Sequence, residues 1–290
     1  VYLAKPPPFA PGIPPGAKEI PLGLTLSVSR VFEAGRPYDP GLVQYFADLA
    51  KLYGLRHRDD YFTRVHRNTF TELIQGALDG LGALDDPVDL VVLAHSTPDA
   101  EPGWPACYLA DALPGDPLAL AVSDQGVTAA FTALRIVADY STVDDFRRAI
   151  VVLLDQTTLM NDEHPPAGIA LPEQDSVVAL VLDRKPGAGR LTVRQLTDVG
   201  APEAGATVAE LLRERALPVA VLGPDLAAAT EAPPDAEIVA VAPGRPCSGT
   251  WAHFLEHRQT GRSMVIADYD PALRYLGICT VDFPGGDGPP

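Results

Sequence analysis

Residues 117–140 read PLALAVSDQGVTAAFTALRIVADY. Leu118–Val122 is an apolar run of strand length, and Gly126–Tyr140 carries its apolar residues at helical spacing. Ser123, Asp124 and Gln125 form the turn between them. Just upstream, residues 87–116 read PVDLVVLAHSTPDAEPGWPACYLADALPGD. They contribute an apolar strand, Asp89–Ser96, and a small-residue helix, Pro105–Leu113. Strand, helix, strand and helix therefore follow one another without a break. Continuous apolar strands alternating with helices imply a largely parallel sheet covered on both faces.

Working outward, Leu42, Tyr45, Phe46, Leu49 and Leu52 give Asp39–Tyr53 a helical period, and Thr69–Leu81 repeats the pattern. Ala149–Asp155 and Ser176–Asp183 read as two further buried strands. The second half runs through a strand at Leu191–Asp198, a helix at Ala206–Ala216 and a strand at Val219–Leu222. Further strands are expected at Ile238–Ala242, Met264–Ala267 and Tyr275–Phe283, with a helix at Thr250–Arg258. The opening VYLAKPPPFAPGIPPGAKEIP is too proline-rich for regular hydrogen bonding and reads as an extended arm lying on the body. This organisation predicts two halves, residues 1–188 with the arm and a shortened 189–290.

With 47% hydrophobic and 21% charged residues among 290, the chain can bury a large core. A formal net charge of −16 argues against a nucleic-acid partner, because phosphate neutralisation needs a dense basic surface. No apolar run reaches the roughly 18 residues of a spanning helix, so no membrane segment and a cytoplasmic location are expected. Cys107, Cys247 and Cys279 are few, odd in number and widely spaced, which argues for free thiols rather than a disulfide framework.

The order of elements around residues 89–140 resembles the ketoacyl synthase III branch of the thiolase superfamily. The closing SMVIADYDPALRYLGICTVDF resembles that family's final hairpin. The resemblance covers roughly residues 40–283 and implies a five-layer α-β-α-β-α fold with two pseudo-duplicated halves. It also implies pairing through Leu118–Val122, giving a homodimer or a heterodimer with a related synthase. In such synthases a cysteine takes the acyl group, and a histidine and an asparagine stabilise the oxyanion. Gly126 stands at the cysteine position, with Gln125 before it. Gly223, in LPVAVLGPDLAAA, stands at the histidine position. Pro246 or Arg245, in PGRPCSGTWAHFLE, stands at the asparagine. Asp270 replaces a glycine of the closing loop. The pocket expected from the resemblance comprises Gln125, Gly126, Gly223, Pro246, Ser248 and Asp270, without the condensing triad.

Ser123 and Asp124 have two readings: caps for the helix that follows, or substitutes for the missing nucleophile. His164, in a proline-rich loop, is a third candidate acid or base. Arg56, Arg58, Arg64 and Arg67 concentrate positive charge in YGLRHRDDYFTRVHRN. That segment resembles the family's thioester entrance, where arginines grip the phosphates of coenzyme A or an acidic carrier protein; a solvated face paired with Asp59 and Asp60 is the other reading. His253, Glu256 and His257 match an H-x-x-E-H string, but an amphipathic helix explains them without a metal. No cofactor is expected beyond an acyl-CoA or phosphopantetheine ligand. Two functions follow: a non-condensing accessory or acyl-thioester-binding protein of polyketide- or fatty-acyl-type biosynthesis, or an acyltransferase or hydrolase acting on acyl-CoA or acyl carrier protein without a cysteine.

Overall fold

The computed structural model describes residues 16–55, 59–143, 145–159, 168–185, 189–258 and 262–283. Its ten long strands form one continuous sheet. In chain order they are β1 (Lys18–Val31), β2 (Val88–His95), β3 (Gly115–Val122), β4 (Arg148–Asp155) and β5 (Ser176–Asp183). They continue with β6 (Gly189–Leu196), β7 (Val219–Leu222), β8 (Glu237–Ala240), β9 (Met264–Asp270) and β10 (Tyr275–Asp282). The spatial order is β3-β2-β4-β5-β1-β6-β10-β9-β7-β8.

That order is palindromic. The first five strands run 3-2-4-5-1 from the edge inward, and the last five repeat this order from the opposite edge. Orientation repeats as well: β3, β2 and β4 pair in parallel, as do β8, β7 and β9. The fourth, fifth and first strands of each half pair antiparallel. Antiparallel pairing of β1 with β6 joins the halves, with Lys18 opposite Val193 and Leu24 opposite Gly189.

Side-chain alternation on the buried strands sorts the core into three layers. Leu90, Val92 and Ala94 of β2 join Val219 and Val221 of β7 in a central cluster around two helices, α5 and α8. The alternate residues Val91 and Leu93 face outward onto α3 and α4. Ala220 and Leu222 face outward onto α6 and α7. The helices are α1 (Pro40–Leu52), α2 (Asp59–Arg64), α3 (Phe70–Leu81), α4 (Pro105–Ala112), α5 (Ala129–Tyr140), α6 (Ala201–Glu214), α7 (Pro224–Ala229) and α8 (Gly249–His257). The two halves of the sheet thus flank α5 and α8, each with an outer helical layer, which is the five-layer α-β-α-β-α arrangement that the resemblance implies. α3 starts on a complete capping box, in which Thr69 and Glu72 satisfy each other's backbone N–H.

Two expectations need correction. Residues Lys18–Pro21 are not part of an arm: they open β1, the strand on which both halves meet. Pro21 lacks an N–H, and it sits at the irregularity between Ile20 and Gly23 where β1 leaves its register with β6. The helix expected from Gly126 begins as a single 3-10 turn, Gly126–Thr128, before α5. Residues 1–15 lie outside the described residues.

Candidate active site

The elbow between β3 and α5 is strained. Asp124 has φ 58° and Gly126 φ 51°, both left-handed. Neither Ser123 nor Asp124 caps the helix, which corrects the capping reading. Gln125 and Thr128 hold the cap positions without side-chain cap bonds, and the Thr128 hydroxyl donates to the Gln125 carbonyl at 2.8 Å. Ser123 and Asp124 are exposed.

Facing the elbow is the end of β9. Residues two apart on a strand share a face, so Asp268 and Asp270 both point inward, as Ile266 does before them. Asp270 accepts the Val127 N–H at 3.2 Å and the Leu273 N–H at 2.9 Å. A Cβ at Gly126 would overlap its carboxylate. Asp268 accepts the Thr250 hydroxyl at 2.7 Å and the Tyr269 N–H at 2.9 Å. A Cβ at Gly223 would overlap that carboxylate in turn. Thus at both glycines the volume that a side chain would take is filled by a carboxyl group from β9.

Burial dominates the ionisation of these acids. It pushes Asp268 up to about 7, with the negative charges of Asp270 and Asp225 adding to the rise. Asp270 is raised for the same first reason, against the pull of three backbone N–H groups. A third buried acid, Asp155 at the end of β4, accepts the Cys247 and Ser248 N–H groups at 3.0 and 2.8 Å and is raised to about 6. Asp155 thereby holds the turn that leads into α8, and Asp270 holds the 3-10 turn that leads into α5. The fourth strand of each half thus anchors the approach to the central helix of the other half.

The other candidates divide. Ser248 is buried and shares a hydrogen bond of 2.8 Å with Ser176. Gln125 reaches no further than the Asp124 carbonyl at 3.4 Å. Pro246 lies in the turn before α8, one residue from the Cys247 N–H that Asp155 holds. Arg67 is no entrance residue. It is fully buried, donates to the carbonyls of Arg36 and Pro37, pairs with Glu101, and lies 4.0 Å from the Tyr38 ring. Arg64 is exposed and pairs with Asp60 at 3.1 Å. Arg56, Arg58 and His164 lie outside the described residues. Among the described residues no group of three or more His, Cys, Asp or Glu side chains could hold a metal. The Nδ1 atoms of His253 and His257 donate to carbonyls four residues back.

His95, Asp155 and Thr250 were not singled out from the sequence, and Asp268 was given no place in the pocket. For Asp268 a signal existed: two aspartates at i and i+2 closing an apolar strand place two carboxyls on its buried face. A cavity of about 700 Å³ lies away from this site, at the other ends of β2 and β4, lined by charged residues including Asp86, Asp89, Arg147 and Arg148.

No family model and no curated protein matches the chain. Solved structures do. ChlB3, described as an acyltransferase, is 18% identical over 92% of this chain and 99% of its own, with a TM-score of 0.62. AbyA1, a tetronic acid condensing enzyme, is 18% identical over 92% of this chain and 100% of its own, at 0.59. A 3-oxoacyl-(acyl-carrier protein) synthase from Burkholderia xenovorans LB400 is 15% identical over 93% and 95%, at 0.58. With the palindromic sheet and its two central helices, these matches establish that the chain has the thiolase-like, ketoacyl synthase III-type fold.

Proposed function

We propose that this protein binds an acyl thioester, carried on coenzyme A or on the phosphopantetheine arm of an acyl carrier protein, and does not condense it through a cysteine. Its place is an accessory one in polyketide- or fatty-acyl-type biosynthesis, as a homodimer or beside a related synthase. The single observation that carries the reading is the Asp270 carboxylate lying where a side chain at Gly126 would have to go. A nucleophile there would need a residue that the backbone φ and this carboxylate both oppose. Cys247 and Cys279 are no substitutes: both are buried, and burial raises both thiols, so neither supplies thiolate near neutrality. The names of the neighbours, an acyltransferase, a condensing enzyme and an acyl-carrier-protein synthase, support the thioester class.

A second reading, acyl transfer or hydrolysis without a cysteine, draws on Ser123 and Asp124, exposed and free of any capping role. Arg64, with Arg56 and Arg58, remains the proposed entrance for phosphate or an acidic carrier. The test is intact-protein mass spectrometry after incubation with acyl-CoA. No stable acyl adduct is expected on Cys107, Cys247 or Cys279. An adduct on any of them, followed by a condensation product when malonyl carrier protein is added, would overturn the reading.

A further inference from the structure

One basic side chain beside the elbow has no part in the function proposed above. His95 is the last residue of β2, and it is only partly buried. The parallel pairing of β2 with β3 ends with Ala94 opposite Val122, so His95 and Ser123 are the next residues along neighbouring strands. Ser123 lies just past the end of β3, and His95, following Val91 and Leu93 on alternate positions, turns outward with them toward α3. The ring of His95 packs against Phe70 of α3, with centroids 5.0 Å apart. Its Nδ1 lies 2.7 Å from the Thr97 carbonyl oxygen. A carbonyl only accepts, so Nδ1 carries the hydrogen and Nε2 keeps its lone pair.

Burial lowers the imidazole pKa, and the Asp124 charge works in the opposite direction, so the ring is neutral at physiological pH. Asp124, one residue beyond Ser123, is thus the charged neighbour that acts on it. Anchored through Nδ1 and neutral, at the end of the strand beside the one that leads to the exposed Ser123, His95 has the tautomer and charge state of a general base.

We propose that His95 is the general base for hydrolysis of the acyl thioester, using a water shared with the Ser123 hydroxyl. This rests on the reading that the ligand is a thioester and takes the second reading above, hydrolysis, over a purely accessory binding role. In the step, the water oxygen bonds to the thioester carbonyl carbon while its proton passes to Nε2. The tetrahedral intermediate then collapses and the C–S bond breaks. The sulfur leaves with the proton from Nε2, so thioester and water become carboxylic acid and thiol with no covalent enzyme adduct.

The test follows thiol release from butyryl-coenzyme A, with calorimetry of a non-cleavable butyl thioether of coenzyme A alongside. His95→Asn keeps a donor toward Thr97 and loses the base, so release should fall by roughly 100-fold or more, while thioether affinity and melting temperature hold. The wild-type rate should rise with pH and level off below the ordinary imidazole value of about 6.5, a limb the variant lacks. Ser123→Ala, at an exposed position, should lower release while leaving folding intact. Thioether binding without thiol release, release unchanged in His95→Asn, or an acyl adduct on Ser123 would each overturn the inference while leaving the thioester reading standing. Failure of the thioether to bind would remove the thioester reading itself.

Discussion

At Gly126 two constraints oppose any side chain, a left-handed φ of 51° and the Asp270 carboxylate. The first costs about 1–2 kcal/mol for a non-glycine residue, and overpacking adds about 1–3. Gly126→Cys should therefore lower stability by roughly 2–5 kcal/mol in urea titration, and Asp270→Gly in the same chain should restore part of it. An unchanged midpoint in the single variant would mean that the elbow already has room for a thiol. Asp268 gives a pH-dependent counterpart. Its folded pKa of about 7 lies above the ordinary 3.8, so the folded chain holds a proton that the unfolded chain releases. Asp268's contribution is most favourable below about pH 4 and is lost as pH rises to about 7, a cost of roughly 4 kcal/mol at most. Asp268→Asn keeps groups able to bond Thr250 and Tyr269 and removes the charge. It should raise the melting temperature at pH 8 and flatten the pH dependence between 4 and 7. A loss of stability at pH 8 would contradict the assignment. At this scale the sequence was partly legible. Gly126, Gly223 and Asp270 could be picked out, but not that carboxyls fill the two glycine positions, because those contacts, Gly126 with Asp270 and Gly223 with Asp268, join residues far apart in the chain. Arg67 misled for a related reason: a dense run of charge reads as surface, and only the fold reveals the carbonyls, the carboxylate and the tyrosine ring that let one arginine go inside.

Elements with a clear period were legible almost to the residue. Ser176–Asp183 and Val219–Leu222 match their strands in full, and Phe70–Leu81 starts one residue after the expected Thr69, which turns out to be the cap. β1 was missed because Pro21 and Gly23 interrupt its alternation at the point where it changes partners. No local pattern marks a strand that is half in one pairing and half in another. α7 escaped because its six residues, Pro224–Ala229, are too short for periodicity. Its contact with α6 sets up a test of packing against propensity. Gly205 lies within α6, where alanine would favour the helix by about 1 kcal/mol. A Cβ there, however, would overlap the Ala229 carbonyl at the end of α7, and backbone cannot swing aside as a side chain can. Packing should win, so Gly205→Ala is expected to destabilise by about 1–2 kcal/mol net. A stabilised variant would show that α7 shifts freely.

For the whole molecule, the palindromic sheet leaves β3 and β8 at its two edges. β3 exposes Leu118 and its unpaired backbone, with no proline after Pro117 to block pairing. An edge of this kind needs a partner, and the proposed one is β3 of a second copy or of a related synthase. Sedimentation at micromolar concentration should give a dimer, and Leu118→Lys should shift it toward monomer without altering the circular dichroism. A wild-type monomer would point to a partner other than a second copy. The overall charge of −16 bears on the ligand as well. An anionic thioester must approach a protein of its own sign, so any attraction has to come from a local basic group, and salt should weaken it over a screening length of about 8–10 Å. Calorimetric titration of the protein with the non-cleavable thioether of butyryl-coenzyme A, at low and at physiological salt, therefore tests thioester binding itself. Saturable binding that weakens as salt is raised is the predicted result. An absence of binding at low salt, repeated with an acyl carrier protein bearing the same thioether, would contradict it.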